Sequence, residues 1–363
     1  MKHVLDNLEF ERDPHVTVVD PDFTALDKMY EGRKAYYGDY HCHASTGGTS
    51  DGKTTLTEWK NAMDEMAIDF IGVMDHRQVR HMYLDEFDMR YFVCGTEPGM
   101  KWLNTELDCH YLMIFPEKGM LENVLEKFPD VYEFEGGNEG HFKYIRVNRA
   151  RFLEVKDAVL AEGGAFVNAH PVQQIKSDDI NDFYFGDGTA FEIVYVYNWK
   201  EPKNPESVAN YKMWLRMLDA GMKIVNTATS DQHGAPHNYG LNTVYATERH
   251  CREFSNRLRA GDLNSGYIGV KMNIGDAPVG STVKYEDGMI LTVKVGDGHS
   301  QRFDKNEFYR VDIITDKGIA YSAPYREGFA AAIEVQNRKF YRVEVLRQRD
   351  GSPAAIGNPI WLD

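Results

Sequence analysis

Short apolar runs recur along the first two thirds of the chain, and many of them stop at a residue that can bind a proton or a metal. His15–Val19 and residues 34–43 read as strands, the second ending in His41-Cys42-His43. Thr55-Leu56-Thr57-Glu58 has the form of a capping box, and Leu56, Trp59, Met63, Met66 and Ala67 then fall on one helical stripe. Phe70–Met74 is a buried-strand pattern that stops at Asp75-His76, which makes the first unit strand, helix, strand and predicts a parallel sheet. Tyr91–Cys94 leads into Gly95-Thr96-Glu97, and the next run, His110–Phe115, carries its histidine at the start. A helix is predicted at Leu121–Phe128, a Gly-rich loop at Glu135–Gly140 and a helix at Phe152–Ala161 closed by Gly163-Gly164. Ala165–Ala169 delivers His170-Pro171, Ala190–Tyr197 carries Glu192, and Pro205 opens a helix that Gly221 closes. Lys223–Thr227 then leads to Ser230-Asp231-Gln232-His233.

From residue 264 the texture changes. Gly288–Val295, Phe308–Thr315 and Lys339–Leu346 alternate at strand period between Gly, Asp and Pro turns, the pattern of an antiparallel β-sandwich. Two domains are therefore expected, residues 1–255 and 264–363, joined near the Arg-rich helix His250–Ala260.

Composition narrows the function classes. A formal net charge of −15 argues against nucleic acid as the main partner, because such binders neutralise phosphates with clustered Lys and Arg. It leaves room for a small anionic substrate where metal ions supply local positive charge. No apolar run has the length of a membrane span or a signal peptide. Cys42, Cys94, Cys109 and Cys251 have no CxxC spacing, so neither a thiolate zinc site nor a disulfide framework is indicated, and a cytoplasmic location is expected. The oligomeric state is not legible.

Side chains at i and i+2 of a strand share a face, so His41 and His43 can converge on one ion while Cys42 points away. In order, the metal-type residues are His41, His43, Asp51, His76, Glu97, His110, His170, Asp231 and His233. The segments that carry them, YHCHASTGGTSDG, GVMDH, GTE, CHYLMIF, NAHP and TSDQHG, resemble one by one the motifs of the PHP (polymerase and histidinol phosphatase) superfamily over residues 35–247. That resemblance implies an α/β fold built as a distorted seven-stranded β/α barrel. It also implies a site of up to three divalent metals: one held by His41, His43, Glu97 and Asp231; a second by Glu97, His110 and His170; a third by Asp51, His76 and His233. His76, Asp231 and His233 would then be the catalytic groups. Leu258–Asp262, Gly280–Val283, Tyr341–Val345 and Asn358–Trp361 resemble the appended β domain of the carbaryl-hydrolase-like (CehA/McbA) branch. One departure bears on metal number: the Gly47-Gly48 insertion lengthens the loop between His43 and Asp51, so the third site depends on where that loop ends.

The donor set stands apart from the resemblance. Six imidazoles and three carboxylates without a thiolate suit Zn²⁺, Mn²⁺ or Fe²⁺. The expected activity is metal-dependent hydrolysis of a phosphate ester by a metal-bridging hydroxide. Two alternatives stay open: hydrolysis of a carboxylic or carbamate ester on the same metals, and a degenerate barrel that serves as a binding module. Arg77, His81 and His237 are candidate substrate contacts, each with a plainer reading as a loop residue. Asp75 and Glu192 read as groups that orient the ligands. Arg146, Arg149 and Arg151 are either a solvated helix start or an anion-steering patch, and Tyr195–Trp199 either packs or lines the pocket.

Overall fold

The structure, a computed structural model, describes all residues except 1–12, 14–15, 21, 104–106, 136–139, 196–204 and 237–239. Strands β1 (Lys34–Cys42), β2 (Phe70–Val73), β3 (Phe92–Thr96), β4 (Gly99–Lys101) and β5 (Asp108–Phe115) are followed by a hairpin of β6 (Tyr132–Glu135) and β7 (His141–Tyr144). After them come β8 (Ala165–Ala169), β9 (Ala190–Tyr195), β10 (Val225–Thr229), β11 (Asn242–Ala246), β12 (Leu263–Gly266) and β13 (Ile268–Ile274).

Seven of these lie side by side in the order β10-β9-β8-β5-β3-β2-β1. The β1–β2, β2–β3, β8–β9 and β9–β10 pairs are parallel. The expectation of a parallel sheet fails at β5, which runs antiparallel to both β3 and β8. The cause is local. The link from β3 holds only the short β4, which itself pairs antiparallel with β5, whereas a parallel return needs a crossover of a dozen or more residues. The reversal explains why His110 stands near the start of its strand. It pairs with Ala169, so the start of β5 lies at the same edge as the end of β8. Past their ends, β1 and β10 also meet: Gln232 bridges Cys42 in parallel, and the His43 N–H donates to the Gln232 carbonyl at 2.9 Å.

Helix Leu56–Met66 begins at a true capping box, with the Thr55 hydroxyl taking the Glu58 N–H and the Glu58 carboxylate taking the Thr55 N–H. Its apolar face places Leu56, Trp59 and Met63 in the core, and the fully buried Trp59 indole donates to the His43 carbonyl at 3.0 Å. Burial of that ring contributes at most roughly 4–5 kcal/mol of transfer free energy while fixing the end of β1. Gly38 is required for the close approach of β2, because a Cβ there would overlap the Phe70 carbonyl and ring.

The remaining strands are β14 (Ala277–Pro278), β15 (Thr282–Val283), β16 (Ile290–Gly298), β17 (Tyr309–Thr315), β18 (Gly318–Pro324), β19 (Ala330–Glu334), β20 (Phe340–Arg347), β21 (Pro353–Gly357) and β22 (Ile360–Leu362). β14-β13-β16-β19 form their own antiparallel sheet. β17, β18, β20 and β21 instead continue the main sheet, because β12 pairs with both β11 and β21. Val270, Met272 and Val293 from one sheet and Val311, Ile313, Val343 and Val345 from the other belong to a single apolar cluster. Of the segment read as a strand at residues 15–19, the described part pairs here: Val18 bridges Ile333, and the Glu334 N–H donates to the Thr17 carbonyl. No helix among the described residues is long and apolar enough to cross a membrane.

Candidate metal centre

The expected ligands converge at the edge where β1, β3, β8 and β10 end and β5 begins. They fall into three groups whose donor atoms lie close enough to share an ion: His41, His43, Glu97 and Asp231; Glu97, His110 and His170; and His43, Asp51, His76 and His233. His43 is common to the first and third, which the sequence had not indicated. Its Nε2 lies 2.9 Å from Asp231 and its Nδ1 3.8 Å from Asp51, so its two nitrogens face different groups.

Glu97 is the hub. Its Oε1 is 2.8 Å from His110 Nδ1 and 2.9 Å from His170 Nε2. Its Oε2 is 3.2 Å from His41 Nε2, from His43 Nε2 and from His76 Nδ1, yet this buried oxygen has no hydrogen-bond partner. His41 Nε2 and His43 Nε2 also face each other at 3.3 Å. Buried polar atoms are satisfied as a rule. A carboxylate oxygen with no hydrogen bond, set against the Nε2 atoms of His41 and His43 and close to Asp231, belongs to a donor set that fits a cation.

The surrounding contacts fix which nitrogen each ring presents. Glu192 lies 2.8 Å from His41 Nδ1 and accepts the His170 backbone N–H at 2.6 Å on its other oxygen. That assigns the His41 proton to Nδ1 and leaves the Nε2 lone pair to the cluster. His233 Nδ1 faces the Asp231 carbonyl at 2.7 Å and His76 Nδ1 the Glu97 carbonyl at 3.3 Å, so both offer Nε2 toward Asp51, at 3.2 and 3.6 Å. Asp75, expected near His76, takes the Ala44 N–H at 2.8 Å and the Thr46 hydroxyl, and so holds the loop after His43.

Electrostatics point the same way. Burial alone would lower His41, but Glu97, Glu192 and Asp231 outweigh it and push the ring well above its usual value. His43 is pushed up to about 9, against burial, by the neighbouring carboxylates of Asp231 and Glu97. His170 is raised mainly by Glu97, again against burial. Glu97 is held well below the carboxylate range despite burial, by His41, His110 and His170, and Asp231 is lowered despite burial by His41 and His43. His76 moves the other way, lowered by burial. The buried carboxylates thus draw protons onto the imidazoles, a demand for positive charge that divalent ions would meet instead.

Asp51 does reach its expected neighbours. The longer loop folds back through Gly47 and Gly48, both at positive φ, and Ser50 bonds the Ala44 carbonyl. Asp51 nonetheless remains 54% exposed, against 33% for His233 and 18% for His76, while the other two groups are deeper.

The suggested substrate contacts fare differently. Arg77 is half-buried beside His76 with φ 49°, and its side chain makes no ion pair or hydrogen bond among the described residues. His81, in the turn at Arg80–Tyr83, is fully buried against Phe87. His237 and the 196–199 part of the aromatic run lie outside the described residues. Arg149 bonds the carbonyls of Asn181, Asp182 and Tyr184, and Arg151 pairs with Asp130 and Glu154, so these two are structural. Two neighbours had no sequence signal, Gln78 and His141. They are brought together by an isolated pairing of the β6–β7 hairpin with the strand-end loop after β2.

No family model matches the sequence, and no curated protein matches it. Among solved structures, an amidohydrolase from Chromobacterium violaceum with bound sulfate and no metal is 16% identical with TM-score 0.37, over 56% of this chain and 89% of that one. A protein described as a metal-dependent phosphoesterase, from Bifidobacterium adolescentis, is 16% identical with TM-score 0.38, over 56% and 90%. The lesion-specific endonuclease Q of Pyrococcus furiosus is 14% identical with TM-score 0.41, over 62% and 56%. These likenesses are too distant to say what this chain does, and its chemistry rests on its own site.

Proposed function

We propose that this chain is a metal-dependent hydrolase of the PHP superfamily that acts on a phosphate ester. In this reading β1, β2, β3, β5, β8, β9 and β10 close as a distorted barrel through the Gln232–Cys42 contact. Residues 264–363 form the appended β-sandwich domain. The carrying observation is Glu97 Oε2, buried, unpartnered and 3.2 Å from both His41 Nε2 and His43 Nε2.

His41, His43, Glu97 and Asp231 would hold one ion, His110 and His170 a second with Glu97 between the two, and Asp51, His76 and His233 a third beside His43. Bound there, Zn²⁺, Mn²⁺ or Fe²⁺ would supply Lewis acidity and a nucleophile from water at neutral pH. The chain supplies the rest. Glu192 holds the His41 tautomer and the His170 backbone. Asp51, which is exposed, and the partly buried His76 and His233 form the face that substrate meets, with Asp231 beneath them. Arg77, next to His76 and without a partner among the described residues, is the cation available to a phosphoryl oxygen.

The test is a screen of purified protein, metal-free and reconstituted with Mn²⁺, Zn²⁺ or Fe²⁺, against phosphomonoesters, phosphodiesters, aryl esters and carbamates. Phosphate-ester turnover that is lost, together with bound metal, in His41→Ala and His170→Ala supports the reading. Turnover confined to aryl esters or carbamates moves the chain to ester hydrolysis on the same donors. Neither bound metal nor turnover of any substrate would leave a binding module.

A further inference from the structure

Asp51, the most exposed member of the donor groups, sits on the loop after β1, and a separate element braces that loop. Asp51 follows a turn closed by the Ser50 N–H to the Gly47 carbonyl at 3.2 Å. Within the loop, Thr49 bonds the His76 carbonyl, and the buried Gln78 amide donates to Thr46 Oγ1 at 3.0 Å and to Asp75 Oδ2 at 3.3 Å. Gln78 is in turn paired with His141 of β7. On either side of that pairing, the Phe142 N–H donates to the Arg77 carbonyl at 2.9 Å and the Val79 N–H to the Gly140 carbonyl at 2.8 Å. The hairpin therefore grips the segment that begins at His76.

Gly48 is where the grip meets the loop. It has φ +66°, and a methyl group on it would overlap both His141 Cε1 and Gln78 Oε1. Neither neighbour yields freely. Gln78 would have to give up Thr46 and Asp75, and His141 is carried on a strand tied to residues 77–79. A side chain at position 48 must instead displace the loop, and Asp51 lies three residues further on.

We propose that Gln78 and the β6–β7 hairpin are positioning elements for Asp51, acting through Gly48. Cation loading of the exposed group is thereby set separately from loading of the two buried groups. The inference rests on the metal reading above but goes beyond it, since nothing in the donor set requires the groups to load independently. The buried groups are held by strand ends and Glu192, which the hairpin does not grip.

The experiment is elemental analysis of bound metal after equilibration of the full chain against a buffered series of free Mn²⁺, for the wild type, Gly48→Ala, Gln78→Ala and Gly32→Ala. Gly32 is the strain control: φ +73°, with nothing within 4 Å of an added Cβ. The wild type is expected to take three equivalents. Gly48→Ala and Gln78→Ala should need at least tenfold more free Mn²⁺ for the last equivalent, with the first two steps unmoved and the metal-free protein still folded. Gly32→Ala should match the wild type. If Gly48→Ala does not fold, Gln78→Ala carries the comparison alone. The proposal is overturned if the last step is unmoved in both variants, if all steps shift together, or if the wild type stops at two equivalents. A wild type that binds no Mn²⁺ instead removes the metal reading on which it rests.

Discussion

Glu192 lies 2.8 Å from the Nδ1 of His41, and the pair is fully buried. The carboxylate decides which His41 nitrogen carries the proton, and its second oxygen pins the backbone of His170. One side chain that lies in none of the three donor groups thus orients two that do.

Removal of this carboxylate should be felt in metal affinity first. Glu192→Ala is expected to weaken binding of the most tightly held ion by about 10–100-fold, and Glu192→Gln by less, because its amide oxygen can still accept from His41. Equilibrium dialysis against a competing chelator measures both. Equal affinities in all three proteins would show that Glu192 orients nothing.

Metal removal should destabilise the fold. The ions would bind only where the folded chain gathers Glu97, Asp231 and the imidazoles, so at a thousandfold excess over Kd one ion adds about 4 kcal/mol. Calorimetry should show a transition that rises with Mn²⁺ or Zn²⁺ and falls with chelator. An unfolding temperature indifferent to both would contradict a folded-state metal site.

His299, which belongs to none of the three donor groups, predicts an acid-labile contact. Its Nε2 donates to the Ala67 carbonyl at 3.0 Å and its Nδ1 accepts the Gln301 N–H at 3.3 Å, a pattern only the neutral ring satisfies. Burial, reinforced by the nearby Arg302, brings it down to about 4. The unfolded chain, with the ordinary value near 6.5, therefore binds the proton first as pH falls. The contribution is intact above about pH 6.5 and is lost as pH falls toward 4. In urea titrations of the metal-loaded protein between pH 7.5 and 5, wild type should lose stability more steeply than His299→Gln. Parallel acid limbs would refute the assignment.

Arg77 separates the two enzymatic readings. A charged hydrogen bond to a phosphoryl oxygen contributes about 1.5–3 kcal/mol, so Arg77→Ala should raise KM for a phosphomonoester by at least about tenfold. Turnover of a neutral aryl ester, if any, should be nearly unchanged. Steady-state kinetics on both substrates checks this, and equal losses on the two would deny Arg77 a role in charge recognition.

Much of the site was legible because strand period and strand ends are local properties. Two histidines two residues apart, a capping box at Thr55 and Glu58, and polar residues that close apolar runs can all be read from neighbours in sequence. Glu192 was legible as an orienting group for the same reason, as a carboxylate on an otherwise apolar strand. What was not legible depends on contacts distant in sequence. Gln78 and His141 are joined only by a bridge between a loop and a hairpin 63 residues apart, and neither has a motif. His81 looked like a site residue by proximity in sequence, yet the turn after Gln78 buries it.

By itself, the sequence determined which residue types stand at the strand ends, and so the chemistry the edge of the sheet can offer. The tertiary structure alone decided direction and reach. β5 runs antiparallel, which sets His110 beside the strand end that carries His170, and the Gly47-Gly48 loop bends back far enough for Asp51 to approach His76 and His233. The physical reason is that strand direction follows from the length and pairing of connections, and loop reach from the element packed against the loop. For Asp51 that element, β7, is 90 residues away in the chain.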